Sequence, residues 1–305
     1  MFRKAERRKA KLRLALTGPA GSGKTYGALL IAQGLGGRIA MIDTENGSGD
    51  IYADTCNYDI QTLTAPYSIQ KYLEAIHEAE TAGYDVLIID SLSHAWSGQG
   101  GLLDMHTQLT SNAKSGNSYS AWGKITPWQN RLIETMLASN CHIIATMRSK
   151  TDYAMFQNER GKTEIRKVGL APVQRDGMDY EFTIVFDLGM EHTVTVSKDR
   201  TGLFDRQVFE ITPETGKRLR EWLDSGAERE PDANDIRTAI NRLYRGYLEV
   251  FGNDSSAAQA AMQEVTNGRA SREWTQEDMK NLSDDLALRL QKKGVMDEMN
   301  IDVIS

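Results

Sequence analysis

Apolar runs of strand length alternate with amphipathic stretches of helix length over the first 225 residues of the chain. This alternation is typical of α/β domains built around a mostly parallel sheet. It predicts strands near Leu12–Thr17, Ile39–Asp43, Val86–Asp90 and His142–Met147, and helices near Lys24–Gly34, Ser68–Ala82 and Pro127–Ser139. The last helix is expected to begin with Thr126 as its N-cap and Pro127 at its first position.

The pattern changes after Asp176. Residues Tyr180–Asp187 and His192–Ser197 alternate around a short turn, followed by a strand near Gln207–Ile211 and a helix after Thr212-Pro213. This order predicts an antiparallel β-hairpin extension of the sheet. The first domain is therefore expected to span residues 1–225.

A polar stretch without periodicity, residues 226–234, is typical of a linker. Beyond it, apolar side chains recur only at helical spacing. Three helices are expected: one from Ile236 to Gly252, one over Ala257–Val265, and one that starts at the capping box Thr275-Gln-Glu-Asp278 and ends at Gly294. Residues 235–305 are thus predicted to form a small all-helical C-terminal module.

Composition narrows the class of protein. The chain has 305 residues, 40% hydrophobic and 26% charged, which fits two ordinary globular domains. No apolar run approaches the length of about 20 residues that crosses a membrane, and two cysteines are too few for a disulfide framework. With a net charge of −6, any binding of nucleic acid must depend on local basic patches.

The strongest motif lies between the first strand and the first helix. Gly18-Pro19-Ala20-Gly21-Ser22-Gly23-Lys24-Thr25 fills every fixed position of the phosphate-loop pattern. In such loops the backbone N–H groups surround phosphates, the lysine contacts the β- and γ-phosphates, and the Thr hydroxyl is a ligand of Mg²⁺. The motif predicts binding of ATP with Mg²⁺, held by Lys24 and Thr25.

Two acids at strand ends complete this prediction. Asp90 ends an apolar strand and is expected to hold Mg²⁺ together with Thr25. Glu45 follows the strand after the phosphate-loop helix, where it can orient and deprotonate the attacking water. The residues after Asp90 are Ser91, Leu92 and Ser93, so no glutamate adjoins that acid.

This placement of the acids resembles the RecA family of recombinase ATPases and differs from AAA+ motors, in which the glutamate directly follows the second acid. The resemblance covers about residues 10–225, and the nearest type is the short RecA-like ATPase of phages, some of which are single-strand annealing proteins. It implies a RecA-like core, a homo-oligomer in the form of a ring or filament, and a location in the cytosol of a bacterial host.

The resemblance also implies roles for further residues. The strand Ile143-Ile-Ala-Thr-Met-Arg148 matches the one whose polar end senses the γ-phosphate; Thr146 is the candidate here, although the family often has a glutamine at this end. Lys198 and Arg200 match two cations that contact the nucleotide of the neighbouring subunit. They are therefore expected to be catalytic across a subunit boundary.

Two long segments at the carboxyl ends of strands correspond to the DNA-binding loops of that fold. The first, 97–126, contains Tyr119, Trp122 and Lys124; the second, 148–177, has seven cations against four acids. Flexible basic segments with aromatic residues suit single strands, because cations neutralise phosphates while bases stack on rings. The expected DNA contacts are Tyr119, Trp122, Lys124, Arg148, Lys150, Arg160, Lys162, Arg166 and Lys167.

The sequence thus predicts a Mg²⁺-dependent ATPase, stimulated by DNA, that binds single-stranded DNA and promotes annealing or strand pairing. A single-strand-binding protein is a further candidate partner, and no membrane contact is expected. Two alternatives stay open: a helicase loader or motor partner with the same fold, and a phosphate-loop kinase of small molecules. The placement of Glu45 and the pair of Lys198 and Arg200 argue against the kinase.

Overall fold

The computed structural model describes residues 4–112, 118–157, 163–227 and 233–292. Within it the chain divides into two compact units. One contains Met1–His77 and Asp85–Glu228, and the other contains Glu78–Tyr84 and Arg229–Ser305. The first unit holds the sheet and the phosphate-loop motif.

Strands and helices alternate through most of the first unit. In chain order the elements are β1 (Arg13–Gly18), α1 (Lys24–Leu35), β2 (Ile39–Asp43), β3 (Asp59–Thr62), α2 (Ile69–Thr81), β4 (Val86–Asp90), α3 (Ser93–Ser97), α4 (Leu102–Asn112), α5 (Ser118–Ala138), β5 (His142–Gln157), β6 (Thr163–Pro172), β7 (Ile184–Leu188), β8 (Thr193–Asp199), β9 (Val208–Glu210) and α6 (Pro213–Asp224).

The described strands form one sheet of nine in the order β3-β2-β4-β5-β1-β7-β8-β9, with β6 paired to β5. Strands β3 to β7 run parallel along this path, whereas β7, β8 and β9 are antiparallel. The predicted α/β fold with a mostly parallel sheet and a β-hairpin extension is therefore confirmed. Because the parallel strands end at one edge, Gly18, Asp43, Asp90 and Arg148 lie there in neighbouring register positions.

The central parallel strands are buried on both faces, as strands of parallel sheets usually are. Strands β1, β2, β4 and the first half of β5 are almost continuously apolar and inaccessible to water. Helix α1 packs closely on α6, since a Cβ atom added at Gly34 would lie 1.9 Å from the carbonyl oxygen of Pro213. A side chain larger than hydrogen at Gly34 would push α6 away from α1.

The start of α5 differs from the prediction. Pro127 lies inside the helix, which begins nine residues earlier at Ser118, so the expected N-cap at Thr126 is wrong. Ala121, Ile125, Gln129, Leu132 and Met136 are buried along one face of the helix. This burial continues through the proline and offsets its usual cost of about 3 kcal/mol in a helix interior.

The two segments expected as flexible loops are largely regular. The first, 97–126, contains α4 and the start of α5, and the second contains the antiparallel hairpin of β5 and β6. Strand β5 continues ten residues past Met147, because residues 149–157 pair with 163–172. Arg160 and Lys162 lie outside the described residues, as does the acidic C-terminal end.

The second unit contains three helices among its described residues: α7 (Ala233–Val250), α8 (Ser255–Val265) and α9 (Gln276–Lys292). They share an apolar cluster that includes Leu243, Tyr247, Met262 and Leu282. The capping box is present, since Thr275 N–H donates to Asp278 (2.8 Å) and Asp278 N–H donates to Thr275 (3.2 Å). None of the described helices is long and apolar enough to cross a membrane.

The chain near the expected linker makes contacts within the first unit. Ala227 N–H donates to Arg7 O (2.8 Å), and Lys9 N–H donates to Ala227 O (2.9 Å). The guanidinium of Arg7 also lies 5.1 Å from the ring centre of Trp222. A version of the first unit designed for experiments should therefore end at Glu228 or later rather than at Ser225.

A neutral histidine, His142, connects the start of β5 to the residue that precedes β1. His142 is buried, and its Nδ1 accepts a hydrogen bond from Leu12 N–H at 3.0 Å. Burial lowers the pKa of His142 well below its usual value of 6.5, and the charges of Lys11, Arg13 and Arg220 act in the same direction. The folded protein therefore keeps this ring neutral at pH values where an unfolded chain would protonate it.

We expect the first unit to lose stability on mild acidification. As the pH falls below about 6.5, the unfolded state binds a proton at His142 that the folded state does not, which costs up to about 1.4 kcal/mol per pH unit. Urea unfolding between pH 7.5 and 5, followed by tryptophan fluorescence, measures the slope of the free energy of unfolding against pH. His142→Gln should reduce it, with the exposed His77→Gln as control; an equal slope in both variants would contradict the assignment.

Candidate nucleotide site

The phosphate loop connects β1 to α1 and has the shape of an anion cradle. Gly21 and Gly23 have φ values of 79° and 86°, in the left-handed region that favours glycine. A Cβ atom at Gly18 would lie 2.4 Å from Ser22 Oγ and 2.7 Å from Leu188 O. Ser22 Oγ is buried and has no hydrogen-bond partner within the described residues.

Asp90 is buried at the end of β4, with 2% of its surface exposed. Thr25 Oγ1 donates to Asp90 Oδ2 at 2.6 Å, and Thr146 Oγ1 donates to the other carboxylate oxygen. Burial raises the pKa of Asp90, while the two hydroxyl bonds act against this shift. The geometry thus brings together three residues that the sequence placed near Mg²⁺ and the γ-phosphate: Thr25, Asp90 and Thr146.

Lys24 extends over the loop. Its Nζ donates to Pro19 O at 2.7 Å. Burial lowers the pKa of Lys24, and the nearby carboxylates of Asp90 and Glu45 partly restore it. A lysine held by a single neutral carbonyl can transfer this bond to a phosphate oxygen, which would be the stronger acceptor because of its charge.

Glu45 lies just past β2 in a turn that Asp43 fixes. Asp43 is fully buried, and its Oδ1 accepts the N–H of Glu45 at 2.6 Å. The carboxylate of Glu45 forms an ion pair with Arg148, whose Nη2 and Nε lie 2.8 and 3.0 Å from Oε1. The backbone N–H of Arg148 donates in turn to Ser93 Oγ at 2.9 Å. Sequence reasoning listed Glu45 and Arg148 separately and missed their pairing.

Comparisons with known proteins show the family to which the chain belongs. A family model described as AAA domain matches residues 10–223, which is more than half of the chain. The chain belongs to this AAA domain family. Among solved structures, one titled "Crystal structure of the RadB recombinase" is similar over 74% of this chain and 93% of its own, with 17% identity and a TM-score of 0.34. No curated protein matches the sequence.

The AAA domain implies binding of a nucleotide, and the residues present fit ATP with Mg²⁺. Gly21 and Gly23 allow the left-handed turns of the loop, and Ser22 Oγ is a buried polar atom without a partner among the described residues. Thr25 and Asp90 supply the oxygen ligands that Mg²⁺ prefers. When bound, the metal would neutralise charge on the phosphates, and Thr25 and Asp90 would be the residues of the AAA domain that hold it.

The turn between β7 and β8 lies against the same loop. Met190 Cε would be 3.7 Å from a Cβ atom at Gly21, and His192 Nδ1 would be 3.1 Å from one at Gly23. This contact was missed at the sequence level, since turn residues carry no signal of which loop they touch. Gly23 therefore serves both the loop conformation and its close packing against this turn, whereas Gly21 serves the loop conformation.

Lys198 and Arg200 lie near the other end of that hairpin. Lys198 Nζ donates to the carbonyl oxygens of Asp179 (3.0 Å) and Tyr180 (2.6 Å), and Arg200 Nη2 donates to Tyr180 O (3.2 Å). Burial lowers the pKa of Lys198, as does the charge of Arg200. These hydrogen bonds do not connect the two cations to the phosphate loop of their own chain, so their action on a neighbouring subunit stays a prediction.

The expected DNA contacts among the described residues fall on three elements, α5, β5 and β6. Tyr119, Trp122 and Lys124 lie on α5, while Arg148 and Lys150 lie on β5. In the backbone register of the hairpin, Arg166 and Lys167 are opposite Ala154 and Tyr153. Arg148 connects these expected contacts to the nucleotide site through its ion pair with Glu45.

We expect Lys24→Ala to impair ATP binding and Glu45→Gln to impair hydrolysis. Lys24→Ala should abolish measurable ATP binding, because backbone donors cannot replace a point charge on the phosphates. Glu45→Gln should keep the affinity and slow hydrolysis about 10²-fold or more, because an amide cannot accept the proton of water. Equilibrium binding of a fluorescent ATP analogue and single-turnover hydrolysis measure the two effects.

The exposed Lys217→Ala is the matched control for lysine removal, since its ion pair with Glu214 lies at the surface of α6. Unchanged ATP affinity in Lys24→Ala would contradict the assignment of the loop. Full hydrolysis in Glu45→Gln would show that Glu45 is not the catalytic carboxylate. If Asp43→Asn kept its ATP affinity and lost hydrolysis instead, Asp43 would be that carboxylate.

For Arg148, the partner of Glu45, we expect a substitution to raise the rate of hydrolysis rather than lower it. The guanidinium of Arg148 occupies Oε1 of Glu45, so this oxygen is not available to accept a proton from water, and Arg148→Ala should raise hydrolysis in the absence of other ligands. The pair is partly exposed and worth about 0.2–1 kcal/mol, which corresponds to a rise of up to about fivefold. The hydrolysis rate of Arg148→Lys should lie between those of the wild type and Arg148→Ala. If Arg148→Ala hydrolyses ATP more slowly than the wild type, the arginine assists the reaction.

Proposed function

We propose that the chain is a Mg²⁺-dependent ATPase that binds single-stranded DNA and promotes annealing or strand pairing, with hydrolysis controlling its assembly into homo-oligomers. The observation that carries this proposal is the continuity of β5. One strand contains Thr146, which bonds to Asp90, and Arg148, which pairs with Glu45, and then continues into the hairpin with β6.

The charge of that hairpin supports a polyanionic ligand. Residues 148–177 carry seven cations and four acids in a chain whose net charge is −6. Phosphates bound there would compete with Glu45 for Arg148, since both are anions. Binding of DNA would thereby release the carboxylate of Glu45 and stimulate hydrolysis.

Two further parts of the proposal rest on the sequence resemblance. Lys198 and Arg200 would complete the nucleotide site of the next subunit, and a single-strand-binding protein would be a partner on DNA. The carbonyl oxygen of Tyr180 accepts hydrogen bonds from both cations and so holds them close together, which favours a shared anionic target.

We expect single-stranded DNA to increase ATP hydrolysis and to bind with a clear dependence on salt. Removal of Arg166 and Lys167 together should weaken binding to all sequences alike. It should reduce the slope of log affinity against log salt by about 1.4, at about 0.7 per phosphate contact on a single strand. Fluorescence anisotropy over a salt series measures this, with the exposed pair Arg206 and Lys217 as the control double variant.

The same protein can be tested against the alternatives. Stimulation of hydrolysis by DNA would contradict the kinase, whereas annealing of naked complementary strands would contradict a helicase loader. An unchanged salt slope in the Arg166 and Lys167 variant would mean that these cations do not touch phosphate. Absence of any binding to single-stranded DNA would overturn the proposed function as a whole.

A further inference from the structure

An open cavity of about 620 Å³ lies along α5, within the range of about 300–1,000 Å³ typical of small-molecule sites. Seven of its lining residues come from one face of that helix, and the eighth comes from the segment after β6. The lining residues are Tyr119, Trp122, Gly123, Thr126, Pro127, Asn130, Glu134 and Arg175.

Its aromatic wall is rigid. The ring of Trp122 stacks on His106 (centroids 4.4 Å apart, 27° between planes) and on Trp96 (5.8 Å, 19°). The guanidinium of Arg175 lies 5.7 Å from the Trp122 ring centre. Tyr119, one helical turn earlier, is 88% exposed. The wall therefore combines a fixed indole, a cation and an accessible phenol ring.

The floor of the cavity consists of residues that a helix interior disfavours. A Cβ atom at Gly123 would meet nothing within 4 Å, so packing does not require glycine there. Pro127 lies four residues later and has no N–H, so the carbonyl of Gly123 lacks its normal donor in the helix. Together they leave an open floor with a carbonyl acceptor beside the aromatic wall.

The positive and negative groups lie at opposite ends of the cavity. Arg175 stands at the aromatic end, whereas Asn130 and Glu134 follow on later turns of α5. A phosphate is attracted to the arginine and repelled by the glutamate. An exocyclic amino group of a base is a donor, and carboxylate, amide and carbonyl oxygens are its natural acceptors.

We propose that this cavity binds one unstacked nucleotide of a single DNA strand, and that it favours bases with an amino group over thymine. The base contacts Tyr119 and Trp122, its amino group donates to the carbonyl of Gly123, and its phosphate lies on Arg175. This assignment rests on the proposed binding of single-stranded DNA and adds to it a site for the base.

The test uses the full chain and three labelled oligonucleotides of equal length: oligo-dC, oligo-dT and an abasic strand. The wild type should bind oligo-dC more tightly than oligo-dT, and both more tightly than the abasic strand. Tyr119→Ala should weaken binding to oligo-dC about 5- to 100-fold, the usual range for loss of one stacked base, and leave the abasic strand nearly unchanged.

Two further variants separate a base site from a structural role. Gly123→Ala should raise the thermal midpoint, because alanine is the better helix former, and yet lower the affinity for oligo-dC by filling the floor. Pro127→Ala should restore the helical hydrogen bond to the carbonyl of Gly123, and so remove much of the difference between oligo-dC and oligo-dT without changing the salt slope. Trp128→Ala and Arg131→Gln, on the same helix but outside the cavity, are the controls.

Each result has one meaning. If the wild type binds none of the strands, the proposed function fails and this assignment fails with it. Suppose that the wild type binds DNA, and that Tyr119→Ala and Gly123→Ala each bind all three strands with wild-type affinity. The cavity proposal alone is then overturned. Equal weakening towards the abasic strand, or loss of self-association instead of DNA affinity, would also overturn it.

Discussion

The carboxylate of Asp90 is the point at which the nucleotide site is fixed. It ends β4, and it accepts hydroxyl groups from Thr25 at the start of α1 and from Thr146 on β5. A buried carboxylate without such donors would cost several kcal/mol, so the three elements cannot separate cheaply. The cradle of the phosphate loop and the position of its acid are therefore set before any ligand binds.

Strand β5 extends this fixed point outward. Two residues beyond Thr146, Arg148 holds Glu45, and Asp43 holds the turn that carries Glu45 from the other side. The same strand then leaves its parallel neighbours and pairs with β6 alone. A ligand bound to the hairpin would therefore be connected through the backbone of β5 to Arg148, the residue that restrains Glu45.

Much of this arrangement could be predicted from the sequence, because the phosphate loop and the apolar strands are local patterns. The strands β2 and β4 have the predicted bounds, and Thr25 and Asp90 meet as expected. Contacts between distant segments had no local signal, and the pair of Glu45 and Arg148 spans 103 residues. The extension of β5 was missed for the same reason, since its partner β6 supplies the bonds that make it a strand.

The error at Pro127 has a different cause and is more informative. Local preference favours a helix that starts at this proline, and burial of Ala121 and Ile125 before it overrides that preference. A sequence that fits its fold at every level would place neither Gly123 nor Pro127 inside this helix. The phosphate loop shows the same conflict, with glycines in positive φ where anions must approach. At both places the chain accepts a poorer local conformation and exposes backbone polar groups, which is the pattern of a binding surface.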